Sequence, residues 1–215
     1  AHALVATLLS LAARGLVRLE IEPFGRRHWR VTGLVDPPRW QRIDPISRRV
    51  GETLGITTAG ATFVADDGPD RGAALVKATE DLSSDCAAWA RSGGLAVSSA
   101  GERVGRVAVF GALALAGLGF LGLVGPSIWG LPFAAFAVGG VGLLGTGVGT
   151  RRTPAGRYWW SQAAGFRRLL ATPSSADRFD FAARRDLYVA YIPYAVGFGV
   201  AETWASKYRM ATGWE

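Results

Sequence analysis

The sequence predicts a mainly α-helical membrane protein. It carries a small α+β, winged-helix-like cytoplasmic domain, a two-helix transmembrane hairpin and C-terminal amphipathic helices. Three observations predict this. Residues 107–150 run for 44 positions without a charged side chain. Residues 16–22 alternate apolar and polar side chains directly after a helical repeat. Stretches 154–172 and 183–210 return to helical spacing and are dense in aromatics. The three parts divide as 1–102, 103–150 and 151–215.

The uncharged run sets the architecture. A helix rises about 1.5 Å per residue and a hydrocarbon core is about 30 Å thick, so the run exceeds one span and suffices for two. Gly125-Pro126-Ser127 interrupts it near the middle, where Pro offers no N–H and Gly loosens the backbone. Two membrane helices are expected, 107–124 and 128–148, joined by a tight turn. Arg103 and Arg106 precede them, Arg151 and Arg152 follow, and the turn has no basic residue. By the excess of basic residues in cytoplasmic segments, both flanks are expected at the cytoplasmic face. Ala108, Ala112 and Ala116 recur at four-residue spacing, as do Ala135 with Gly139 and Gly145 with Gly149. Such faces let backbones approach closely in lipid, either closing the hairpin on itself or meeting a partner.

Charge and cysteine content narrow the setting. Residues 1–106 hold 14 basic and 12 acidic side chains, whereas 151–215 hold 10 and 5. The basic excess thus lies beside the membrane exit, where anionic headgroups attract each basic residue by about 1 kcal/mol. That position favours lipid over nucleic acid as the partner of a chain of net charge +7. The single cysteine, Cys86, excludes an internal disulfide and agrees with a reducing compartment. Ala1 falls inside a helical pattern with no initiator Met or signal peptide, so the chain is expected to begin within a longer protein.

Taken in order, residues 2–14 place Leu4, Val5, Leu8, Leu9, Leu11 and Ala12 at helical spacing, and Gly15 ends the helix. Val17, Leu19 and Ile21 line one face of a strand, and 28–34 returns as a second. Helix followed by hairpin is the closing part of a winged-helix pattern. Asp36-Pro37-Pro38-Arg39 reads as an extended break. Asp44-Pro45 caps a helix to residue 54, stopped by Gly55. Residues 57–70 read as a Gly-rich connection touched by Phe63-Val64. Residues 72–91 form the longest polar helix, and 95–97 a short strand before the membrane. Thr153-Pro154 opens another helix, with Tyr158, Trp159, Ala163, Phe166, Leu169 and Leu170 on one side. It fits either an in-plane interfacial helix or an ordinary core helix. Pro173-Ser174-Ser175 breaks it, and a final helix, 183–210, is kinked at Pro193.

Several blocks are familiar. Arg152-Thr153-Pro154-Ala155-Gly156, Trp160 and Gly165-Phe166-Arg167-Arg168-Leu169-Leu170 resemble an "RTPEG…W…GFRRYL" signature. Asp177-Arg178-Phe179, then Tyr191 to Ala201 with Trp204-Ala205, resemble an "LPYAVALGV" block. With residues 8–20 these resemble the YciQ-like bacterial membrane proteins, domain of unknown function 2207. The resemblance implies inner-membrane residence and a C-terminal portion, preceded in family members by a signal peptide, an extracytoplasmic β-rich domain and another span. It carries no catalytic residues.

Chemistry-bearing patterns are sparse. His2 and His28 have no partner at metal-ligand spacing, and Cys86 beside Ala87, Ala88 and Trp89 reads as a small buried hydrophobe. Nucleophile-elbow, zinc, CxxC and phosphate-loop signatures are absent, and Asp66, Asp67 and Asp70 read as a solvated loop. No catalytic, cofactor or metal residue is expected. Arg26, Arg27 and Arg30 make a basic wing, but the helix before it offers only His2, Thr7, Ser10 and Arg14 for reading bases, which argues against nucleic acid. Arg151, Arg152, Arg157, Arg167 and Arg168 are the candidate contacts for an anionic lipid. The leading expectation is a non-enzymatic scaffold whose partners are membrane lipids and another membrane protein or a second copy. The alternatives are a component binding or processing an anionic lipid or envelope precursor, and a membrane-tethered nucleic-acid binder.

Overall fold

The computed structural model describes residues 2–21, 28–65, 68–121, 128, 130–145, 149–172 and 185–212. The turn expected at Gly125-Pro126-Ser127 lies outside the described residues, as do Arg26, Arg27, Asp66, Asp67, residues 173–175 and 177–179. In chain order the elements are α1 (His2–Ala13), β1 (Val17–Ile21), β2 (Trp29–Gly33), α2 (Pro37–Trp40), α3 (Pro45–Thr53), β3 (Thr62–Ala65) and α4 (Pro69–Ser92). Then come β4 (Ala96–Ser98), α5 (Ala100–Leu121), α6 (Gly130–Gly139), a 3₁₀ turn at Val141–Leu144, β5 (Thr150–Arg152), α7 (Pro154–Ala171), α8 (Arg185–Gly197) and α9 (Ala201–Thr212). The fold is mostly helical, and its contacts group into two compact units. One joins Ala1–Trp89 to Trp160–Glu215, and the other is Ala90–Trp159.

The first unit is built from both ends of the chain. β1, β2 and β3 form an antiparallel sheet in that order, with Leu19 opposite Val31 and Val31 opposite Phe63. Val17, Val31 and Phe63 bury against Leu4 and Leu11 of α1, Val50 of α3 and Leu82 of α4. α1 also packs on α8, close enough that a Cβ on Gly197 would stand 3.4 Å from that of Ala6. A second cluster joins Leu170 of α7 to Ala195, Val200 and Trp204, ringed by Phe166, Tyr188, Tyr191 and Phe198. Phe166 meets Tyr191, Tyr194 and Phe198 edge-on at 5.4–6.1 Å, the arrangement that ring quadrupoles favour.

Local chemistry explains the helix ends. Asp44 accepts from the Ser47 amide at 2.8 Å with Pro45 at the first helical position, as the cap pattern predicts. At the end of α1, Gly15 has φ +70° and the Leu16 amide reaches back to the Leu11 carbonyl, closing the helix while tucking an apolar side chain beneath it. The same closure recurs at Gly55, Gly94 and Gly199, each followed by Ile or Leu or Val.

Four expectations are corrected here. Asp36-Pro37-Pro38-Arg39 opens the short helix α2, since Pro37 is already set for the first turn; this brings Trp40 over Gly51, where any Cβ would strike the indole. Phe63-Val64 belongs to a true strand, β3, because Phe63 pairs with Val31 and Phe63 is buried. The final helix divides at Gly199 into α8 and α9, while Pro193 is accommodated inside α8. Cys86 is exposed, because the buried residues of α4, Ala78 and Leu82, lie in its earlier turns and no residue beyond Leu82 is buried.

The second unit contains the apolar run. α5 begins at Ala100, and its 22 residues reach about 33 Å at 1.5 Å each, enough to cross a hydrocarbon core. α6 runs antiparallel to it: Gly130 lies by Ala116 and Phe120, Gly140 by Val109, and Leu143 by Gly105. The expected second helix to residue 148 is shorter than that. α6 stops at Gly139, where three glycines in four residues disfavour a helix. A 3₁₀ turn follows, and Arg106 reaches across to donate to the carbonyls of Leu143 and Gly145.

Candidate membrane-interface site

The ends of the apolar pair are tied together by a small clamp within the second unit. β4 and β5 pair antiparallel, with Ala96 opposite Arg152, Val97 opposite Arg151 and Ser98 opposite Thr150. The Ser99 amide extends the ladder to the Gly149 carbonyl at 2.8 Å. Glu102, in the first turn of α5, accepts from the Gly149 amide at 2.6 Å and from Arg151 Nε at 3.0 Å. One carboxylate thus holds the returning strand by its backbone and by its side chain. A charge-assisted pair of this kind is stronger than a neutral one.

Thr153 joins two helices with one hydroxyl. Its Oγ1 donates to the Gly94 carbonyl at 2.7 Å and accepts from the Gly156 amide at 3.1 Å, capping α7 while gripping the turn that ends α4. Its own amide bonds the Leu95 carbonyl at 3.1 Å. Gly156 sits so close to that carbonyl that a Cβ would overlap it. The Arg-Thr-Pro-Ala-Gly block therefore has a physical meaning: strand end, cap, first helical residue and close approach.

The outside of the apolar pair is left open. Only 17% of the best 18-residue window of α5 is buried, whereas a core helix of a water-soluble protein would be mostly covered. Val104, Val107, Phe110 and Leu113 of α5 are exposed, and so are Leu131, Phe136 and Val138 of α6. α5 is the one helix among the described residues long and apolar enough to cross a bilayer. Of the small residues on the candidate packing face, Ala112 and Ala116 are buried, while Ala108, Ala135, Gly139 and Gly145 are exposed and Gly149 is partly buried. Close approaches join Gly130 to Ala116 and Phe120, Gly140 to Val109, and Gly105 to Leu143.

The five candidate arginines separate. Arg151, Arg152 and Arg157 belong to the second unit, and Arg167 and Arg168 to the first. Arg151 is held by Glu102, and Arg167 donates to the Phe198 carbonyl at 3.3 Å. Arg152 and Arg157 are exposed, and Tyr158 and Trp159 just beyond them are 60% and 62% exposed. Further along α7, Phe166 and Leu170 turn into the aromatic cluster. The helix is exposed at its start and core-forming at its end. Glu102 was missed in the sequence, where a lone acidic residue between strand and span carries no signal of its own.

An apolar helix pair exposed on its outside and charged only at its closed end fits a membrane protein. The chain belongs to the family described as predicted membrane protein (DUF2207) C-terminal domain, whose model matches residues 1–208. Comparison with curated proteins and with solved structures found no match.

Proposed function

We propose that the chain is a membrane-anchored scaffold of the bacterial inner membrane, with α5 and α6 forming a transmembrane hairpin and both flanks at the cytoplasmic face. The observation that carries this is the make-up of the first unit. One of its two cores lies before the apolar run and the other after it, and α1 packs directly on α8, a contact that a bilayer between the two flanks would forbid. The clamp at Glu102 and Thr153 agrees, since it ties the two ends of the run at one place. Arginine at both ends and none within the run supports a cytoplasmic placement of both flanks.

In this arrangement the winged-helix-like piece, α1 followed by the β1–β2 hairpin, docks a partner at the membrane surface. The partner is another membrane protein or a second copy. Isolation from native membranes in mild detergent is expected to yield a stoichiometric companion or an oligomer. A lone protomer under those conditions contradicts the scaffold role. A second reading, a component that binds or processes an anionic lipid or envelope precursor, is favoured by the exposed Arg152 and Arg157 beside Tyr158 and Trp159.

A further inference from the structure

We infer that the closed end of the hairpin, formed by the first turn of α5, β5 and the first two turns of α7, is a docking surface for anionic lipid headgroups, with Arg103, Arg152 and Arg157 as the charge and Tyr158 and Trp159 as the anchors. This rests on the membrane reading above and deepens the second reading, committing to bilayer headgroups as the ligand and adding Arg103 at the closed end.

Charge complementarity and continuity with the apolar pair select the occupant. Residues 103–176 contain seven arginines and no Asp or Glu. The nearest acidic side chain, Glu102, is spent within the clamp on Gly149 and Arg151. Arg106 serves the carbonyls of Leu143 and Gly145. Arg103, Arg152 and Arg157 are exposed at this end. They are held at the closed end of an apolar pair by a backbone ladder and by Thr153, so their position relative to the hydrocarbon is set by the fold. Tyr158 and Trp159, stacked edge-on at 5.9 Å and exposed, are the amphipathic side chains that settle at headgroup depth. Hydrocarbon for α5, headgroup depth for the aromatics and negative charge for the arginines together describe an anionic bilayer surface.

The test uses the full chain reconstituted in nanodiscs of phosphatidylcholine with or without phosphatidylglycerol, reading bound phosphatidylglycerol and quenching of Trp159 (as the difference from Trp159→Phe) by shallow and deep doxyl lipids. The wild type is expected to enrich phosphatidylglycerol and to show stronger quenching by the shallow label. Arg152→Gln with Arg157→Gln is expected to lower the enrichment by about fivefold for each arginine removed. Arg48→Gln, on α3, is the control and leaves it unchanged. Equal enrichment in the double variant and the control overturns this inference and leaves the membrane reading intact. Failure of the wild type to insert at all overturns both. Equal binding of a duplex oligonucleotide by the reconstituted chain reassigns the surface to nucleic acid.

Discussion

Thr153 and Gly156 show how a short motif can be decided by geometry. Thr153→Ala removes a helix cap, worth about 1 kcal/mol, and the bond to Gly94 with it. Thr153→Ser keeps both, so its thermal midpoint in detergent is expected near wild type while that of the Ala variant falls. Glycine to alanine gives opposite outcomes at two sites on the same helix. Gly165→Ala meets open space and gains up to about 1 kcal/mol of helix propensity. Gly156→Ala drives a methyl into the Leu95 carbonyl and is expected to be strongly destabilising. Equal midpoints for these two variants would contradict the close approach.

Lys207 offers a test by pH. It is 1% exposed, and its Nζ donates to the Leu169 carbonyl at 3.0 Å, on the last turn of α7, where a cation suits the helix end. Burial lowers its pKa from the usual lysine range. A base with a lowered folded pKa binds fewer protons folded than unfolded across the interval between the two values, so stability rises with pH there. The penalty is fully present below the lowered value and is relieved as pH climbs through it toward the unfolded value of about 10.4. Denaturant midpoints are expected to rise across that alkaline interval in the wild type, and Lys207→Met is expected to lose that rise.

At the scale of elements, helices with a polar cap and a glycine stop were legible. Asp44-Pro45 and Thr153-Pro154 opened helices, and Gly15 and Gly55 ended them, because each signal lies within a few residues of its effect. β3 and β5 were not legible. They have four and three residues, and what makes them strands is a partner thirty or more positions away. The second apolar helix was overextended for the same reason: hydropathy continues past Gly139, but the local backbone does not. Of the interface site, the arginines and the aromatics could be read from sequence. The Glu102 contacts depend on how the chain returns. The α5–α6 register is checked by disulfide formation between Gly105→Cys and Leu143→Cys in a Cys86→Ser background, which is expected to be rapid. A pair at Val104 and Val138, both exposed, is expected to remain reduced within one molecule.

For the whole molecule, the proposed topology has the chain leave one unit, enter the bilayer as an apolar pair and return to the same unit. This divides labour between parts. In the proposed topology lipid covers the pair, and the first unit joins its two flanks through the packing of α1 on α8. The direct measurement is side-specific thiol labelling in oriented membrane vesicles, in a Cys86→Ser background, with Val76→Cys on α4 before the apolar run and Met210→Cys on α9 after it, both at exposed positions. The expected result is reaction of both thiols with a membrane-impermeant maleimide from the cytoplasmic face and of neither from the other face. Labelling of the two positions from opposite faces would contradict it.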